Sequence, residues 1–274
     1  KKKPLTAEKT QKSKFNFIGF APDFKRSKEN KGVEILANKS KANNFRNNLA
    51  AIPGARHEVK FSSKYWEGIT RIGRKATEAE FKKYAPESNI IHLATHGIID
   101  DKKPAYNKLL FANDSMSGED GDLHTYELYN MNLNADLAVL SACNTGYGKL
   151  QRGQGLMSMA RGFKVAGCQN IFMTLWKIKD EVSVEIIKNF YKHLKGGMDK
   201  TEALREAKLT YLKNNDPKNS NPYFWSGFVI MGSNTPLKAV ESGTSSWLIW
   251  AGVGFLILLG FITGYYITRR KMAS

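Results

Sequence analysis

Two short apolar runs that each end on a chemically reactive residue constrain this chain more than any other feature. Asn89-Ile-Ile-His-Leu-Ala-Thr leads into His96-Gly97, and Asp136-Leu-Ala-Val-Leu-Ser-Ala leads into Cys143, with Gly146 three positions on. Runs of this length, apolar on both faces and rich in Ile, Val and Leu, read as strands of a parallel sheet covered by helices. In open α/β sheets, binding and chemistry collect beyond the carboxyl ends of such strands. A free thiol has a pKa of about 8.5 and attacks as the thiolate, so a nucleophilic cysteine needs a neighbouring base. His96 and Cys143, carried to one edge by two strands, meet that requirement. The backbone amides of Gly97 and Cys143 are the expected oxyanion donors, and glycine at position 97 leaves the backbone open to a substrate.

Each residue alone carries less. A lone cysteine is as readily a buried thiol, and a lone histidine at a strand end is ordinarily a polar terminus. The shared position and the flanking glycines favour the functional reading. His92 lies four residues before His96, but the segment reads as strand and lacks the Glu of a zinc-peptidase helix, so no metal site is expected. Cys168 reads as core, and His57, His124 and His193 as surface or loop residues. No cofactor is implied.

Around these strands, Phe15–Phe20 is a predicted strand, and Ala42–Ala51 a helix stopped by Pro53-Gly54. Glu58–Phe61 and Ile69–Ile72 read as short strands. Thr77 and Glu80 have the spacing of a capping box, with a helix running to Tyr84. A strand is expected at Leu109–Phe111. Asn113–Gly121 reads as a disordered insertion placed where a mobile substrate loop would sit. Leu137–Ala142, Asn170–Leu175 and Phe228–Met231 are further strands, and Gly155–Phe163 is helical. Asp180 opens a helix with Val184, Ile187, Tyr191 and Leu194 on one face and Gly196-Gly197 as its stop. Asp199 and Glu202 open another helix in the same capping style.

Beyond Ser246, Trp247–Ile267 is free of charge and long enough to cross a hydrocarbon core of roughly 30 Å. It is expected to be a single transmembrane helix, with Trp247, Trp250, Tyr265 and Tyr266 as aromatic belts and Gly260 and Gly264 as a small-residue pair. Arg269, Arg270 and Lys271 come directly after it, which places the short tail in the cytoplasm and the large domain on the extracytoplasmic, or periplasmic, side. The layout is thus a linker over 1–14, a domain over 15–235, a linker over 236–246, the spanning helix over 247–267 and a basic tail over 268–274. A first residue of Lys rather than Met suggests further modules upstream.

The formal charge of +17 favours anionic partners. Nucleic acid is not the expected one, because the cations form no helical stripe or recognition motif and no aromatics are interleaved with them. A surface drawn to anionic lipid is the preferred reading. Two cysteines, Cys143 and Cys168, exclude a disulfide framework.

Several stretches together resemble the CHAT domains, a caspase-like branch of cysteine peptidases related to caspases, separases and gingipains. They are Leu49-Ala-Ala-Ile-Pro-Gly-Ala-Arg-His-Glu-Val59, Ala76-Thr77-Glu78, His92-Leu-Ala-Thr-His-Gly97, Leu140-Ser-Ala-Cys-Asn-Thr-Gly146, Gly155-Leu with Ala160-Arg-Gly-Phe163, and Leu175-Trp176 leading to Asp180. The resemblance implies an α/β/α sandwich with a mostly parallel central sheet, a His96–Cys143 dyad, and peptide cleavage through a thioester, often controlled by upstream tetratricopeptide repeats. Gln154 stands where relatives commonly carry Glu. In the separase branch an acid in the stretch matching Asp180 lines the pocket for a basic side chain. The competing role for Asp180 is that of a helix amino-terminal cap. The expected activity is a membrane-anchored cysteine endopeptidase acting on protein substrates, with a catalytically silent, membrane-tethered signalling scaffold as the alternative.

Overall fold

A computed structural model of the protein describes residues 13–24, 49–100, 102–141 and 154–237, together with Gly260. The chain divides into two units, Lys1–Val240 and Glu241–Ser274, and the sheets and their covering helices belong to the first. Cys143, most of the helix expected at 42–51, and the apolar run 247–267 apart from the helical Gly260 lie outside the described residues. Among the described residues no helix is long and apolar enough to cross a membrane.

In chain order the elements are β1 (Phe15–Ala21), α1 (Pro53–Ser62), β2 (Gly68–Ile72), α2 (Glu78–Tyr84), β3 (Ser88–Leu93), β4 (Gly97–Ile98), β5 (Lys108–Leu110), β6 (Asp122–His124), α3 (Thr125–Leu128), β7 (Leu137–Leu140), α4 (Gln154–Ala166), β8 (Asn170–Thr174), α5 (Asp180–Lys195), α6 (Lys200–Asn214), α7 (Pro222–Trp225) and β9 (Phe228–Met231). The central sheet has the order β2-β1-β3-β7-β8-β9. All its pairs are parallel except β8 with β9 at one edge.

Both faces of the sheet are covered, which is why its strands are apolar without alternation. On one face Ile18, Phe20, Ile91, Leu93, Leu140 and Met173 pack against Phe81 of α2 and Met159, Ala160 and Phe163 of α4. On the other, Phe17, Ile90, Val139 and Phe172 pack against Ile186, Ile187, Phe190 and Tyr191 of α5 and Ala203, Leu204 and Ala207 of α6. The result is the α/β/α sandwich expected from the sequence.

Three local expectations are corrected. Pro53-Gly54 begins a helix instead of ending one, and Glu58–Phe61 lie within that helix and not in a strand. Proline is well suited to the first helical turn, where its missing N–H has no intrahelical partner. The buried residues Gly54, Ala55, Glu58, Val59 and Ser62 recur at helical spacing. Asn113–Gly121 is the connection of a β5–β6 hairpin in a small antiparallel sheet, β4-β5-β6. It is tied down where the Gly121 amide donates to Glu78 Oε2 at 2.9 Å and the Lys82 ammonium meets Glu119 at 2.7 Å. The third correction concerns Glu80, whose carboxylate pairs with Arg71 instead of returning to the Thr77 backbone. The rest of that cap is present, with the Thr77 hydroxyl accepting from the Glu80 amide at 3.3 Å. At α6 the Asp199 carboxylate accepts from the Glu202 amide at 2.8 Å.

Candidate active site

His96 is positioned by the strand before it and by the hairpin strands after it. In β3 every residue is buried, and Leu93 stands opposite Leu140 of the adjacent parallel strand β7. The chain then runs through Ala94 and Thr95, also buried, to His96. Its backbone is clamped to β5: the Leu110 amide donates to the His96 carbonyl at 2.9 Å, and the Thr95 hydroxyl donates to the Leu110 carbonyl. Gly97, buried, opens β4 opposite Leu109.

The ring is held as firmly. His96 Nε2 lies 2.8 Å from the Ala50 carbonyl, and the Phe24 ring meets the imidazole edge-on at 4.6 Å. A carbonyl can only accept, so Nε2 carries a hydrogen and donates it to Ala50. The residue is 2 % exposed, so the imidazole is buried with its Nε2 hydrogen fixed on the main chain. The sequence offers no signal for this, because the partner is main chain.

The register fixes the strand that leads towards Cys143 as far as Ser141. Leu93 and Leu140 are partners, and the Ser141 amide donates to the Leu93 carbonyl at 2.9 Å. His96 is three residues beyond Leu93 and Cys143 three beyond Leu140. Cys143 itself is outside the described residues, so the structure reports its strand and not its sulfur.

Asp180 is brought to the same edge. Helices α1 and α5 run side by side from this end, and a Cβ on Gly54 would sit 2.7 Å from Val184 Cγ2 and 3.5 Å from the Asp180 carbonyl oxygen. Glycine at position 54 therefore lets the two helix starts touch. Asp180 is the first helical residue; Lys179 is the cap, and no side-chain cap bond is made there. The capping role is thus not the one Asp180 plays. Burial raises its carboxyl pKa, Glu181 adds to this, and Lys177 and His96 oppose it. Trp176, just past β8, stacks on Tyr223 at 5.9 Å and donates from Nε1 to the Tyr223 carbonyl at 2.8 Å, adding an aromatic wall beyond the same strand ends.

Behind His96, a residue whose sequence context pointed to no role proves central. His92 is fully buried, with Nδ1 3.1 Å from the Tyr191 hydroxyl and Nε2 3.4 Å from Glu58 Oε2. The imidazole and the Tyr191 ring are stacked, 5.6 Å apart. Burial, with the charge of Glu58, pushes the Tyr191 pKa well up and keeps it a hydroxyl. This cluster joins β3 to α1 and α5, the two helices whose first turns flank His96. Cys168 is buried, as expected. His57 is exposed, His124 sits at the surface against Tyr126, and His193 is half-buried.

Among the described residues two groups of side chains lie close enough to share a cation, the acids Glu78, Glu119 and Glu127, and the acids Asp120 and Asp122 with His124. The first already surrounds the Lys82 ammonium, at 2.7–2.8 Å from each carboxylate. In the second, which is partly exposed, Asp122 pairs with Lys108 at 2.5 Å.

Fold and site together define an α/β domain with a main-chain-anchored histidine at the carboxyl edge of a parallel sheet. The family pattern described as CHAT domain matches residues 10–233, and the chain belongs to that family. Two curated relatives are both named tetratricopeptide repeat protein 28. The Mus musculus protein is 28% identical over 116 residues, 42% of this chain and 5% of that protein. The Homo sapiens protein is 23% identical over 222 residues, 70% of this chain and 9% of that protein. The chain thus spans less than a tenth of either relative. Of solved structures, gingipain R, an Arg specific cysteine proteinase, aligns with a TM-score of 0.49 and 9% identity, covering 82% of this chain and 48% of that one. The complex of pro- and mature domains from Porphyromonas gingivalis aligns at 0.45 and 10% identity, over the same shares.

Proposed function

We propose that this chain is the peptidase domain of a membrane-anchored cysteine endopeptidase, caspase-like in its chemistry. The observation that carries the reading is register: the segments bearing His96 and Cys143 leave adjacent parallel strands from paired residues, each three positions beyond the pair. Neighbouring strands lie about 4.8 Å apart, within the span of a histidine and a cysteine side chain. His96 Nδ1 takes the thiol proton, and the Cys143 sulfur attacks the peptide carbonyl. The oxyanion is held by the amides of Gly97 and Cys143. The imidazolium returns its proton to the departing amine, leaving a thioester. Water, deprotonated by the same imidazole, attacks the thioester and releases the acid and the free thiol.

Asp180, half-buried beside His96, is the residue to receive an Arg or Lys side chain before the scissile bond. Trp247–Ile267 anchors the domain, which faces the extracytoplasmic side, and the name shared by the two relatives supports tetratricopeptide repeats upstream. That same name, which mentions no peptidase, favours a second reading: a silent scaffold that keeps the fold. A peptide probe bearing a thiol-reactive group and a basic side chain separates the two. Labelling lost in both Cys143→Ala and His96→Ala supports the enzyme; labelling unchanged in either variant supports the scaffold. Selective loss of basic-probe labelling in Asp180→Asn, with an apolar probe unaffected, tests the pocket.

A further inference from the structure

We infer, on the reading of His96 as the base of the site, that the Asp23–Arg56 ion pair is a positioning pair that joins the two chain segments holding the His96 ring. Both contacts on the imidazole come from outside its own strand. The Phe24 ring meets it edge-on, and the Ala50 carbonyl accepts from Nε2 at 2.8 Å. Phe24 lies just past the end of β1, and Ala50 just ahead of α1. Neither belongs to a helix or a strand, so the regular backbone bonds of those elements do not fix them. Their apolar support is a small cluster in which Phe24, Leu49 and Leu110 pack with Ile52 and Ile98, apart from the two large cores on the sheet faces.

The ion pair joins the two segments beside the ring. Asp23 directly precedes Phe24, and Arg56 stands in the first turn of α1, six residues after Ala50. The guanidinium grips the carboxylate through two bonds, Nε to Oδ1 at 3.0 Å and Nη2 to Oδ2. Such a fork sets orientation as well as distance. The turn after β2 closes against it. Gly73 there has a φ of +65°, and a Cβ on it would lie 2.9 Å from Asp23 Oδ2 and 3.3 Å from Arg56 Nη2. Among the described residues no other ion pair joins two segments that both touch the His96 ring.

The two side chains are 49 % and 35 % exposed, and pairs of that kind add little to global stability. The effect of this one is local. Without it, Phe24 and Ala50 are free to shift relative to each other while the sheet and its helices stay folded. The imidazole then spends less time with Nε2 anchored on Ala50, and its other nitrogen is no longer held in one direction.

The test follows the Nε2 hydrogen of His96 by NMR in the full chain carrying isotope-labelled histidine, with the signal assigned by its loss in His96→Gln. In Arg56→Gln that hydrogen should exchange with water at least about fivefold faster than in the wild type. Asp23→Asn should match it. The double variant Asp23→Asn, Arg56→Gln should be no faster than either single one, because the same pair is lost in all three. The urea midpoint should move by less than about 0.5 M in each. Alkylation of Cys143, read in parallel, should rise in apparent pKa towards the free-thiol value of about 8.5. Unchanged exchange in the single variants overturns the inference, and so do additive effects in the double variant. Faster exchange with a larger midpoint shift also overturns it, since the pair would then be a general structural tie. The ring signal needs no thiol, so the two readings fail separately. Alkylation profiles that coincide in the wild type and His96→Gln remove the dyad, whereas an unmoved ring signal removes the positioning pair.

Discussion

The two faces of the central sheet handle buried polar groups in opposite ways. On the α1/α5 face, Glu58, His92 and Tyr191 form a small, enclosed cluster whose Glu58–His92 approach, at 3.4 Å, is longer than a good hydrogen bond. On the α2 face, the Lys82 ammonium is saturated by Glu78, Glu119 and Glu127 and remains about a quarter exposed. Burial works against the Lys82 charge, but its carboxylate bonds outweigh it and raise its pKa. The first arrangement is costly to break because water cannot replace a missing partner. The second is a latch tying the β5–β6 connection and α3 to α2, and water can partly take over. One cluster positions helices at the site; the other fastens a surface hairpin.

The largest effect should come from His92→Ala, which removes the ring and leaves Glu58 enclosed without it. A loss of about 4 kcal/mol in urea unfolding is expected, within the range for emptying a large buried side chain. A loss under about 1 kcal/mol would mean that the cluster is not a fastening. Lys82→Met should cost about 2 kcal/mol, from three carboxylates left facing each other, and the deficit should shrink as they protonate in acid. An equal deficit in acid and at neutral pH would contradict the latch.

The Glu78 carboxyl sharpens the contrast through pH. Burial, only partly offset by Lys82, raises its pKa from 4.5 to about 7. The folded state therefore holds a proton that the unfolded chain has released between those values. Its stabilising contribution is present below about pH 4.5 and is lost as pH rises through about 7. Glu78→Gln should flatten that part of the stability profile, and an unaltered slope would remove the assignment. Thr77→Ala, which deletes only the cap of α2, should cost about 1 kcal/mol in thermal unfolding.

Much of this framework is legible in the sequence because its residues act locally. The apolar runs at Ile90 and Leu137, the caps at Thr77 and Asp199, and the stop at Gly196-Gly197 each signal their element by type and spacing. Helix α1 is not, because Pro53-Gly54 punctuates a chain in either direction, and only the packing of Gly54 on α5 decides between them. Strand β4 has two residues, too few to carry a period. At the site, His96 is readable from its strand end, whereas the Ala50 carbonyl that accepts from its Nε2 belongs to a backbone and has no sequence signature. Spacing shows only that His92 lacks the Glu of a zinc-peptidase helix, and its partners, Glu58 and Tyr191, are 34 and 99 positions away. Asp180 shows its helix-start position but not its nearness to His96, which depends on tertiary packing.

The most direct measurement is the pH dependence of Cys143 alkylation in the wild-type chain and in His96→Ala. A base sharing the thiol proton should give an apparent pKa well below the free-thiol value of about 8.5, returning to about 8.5 when the imidazole is removed. Superimposable profiles in the two proteins would contradict the dyad.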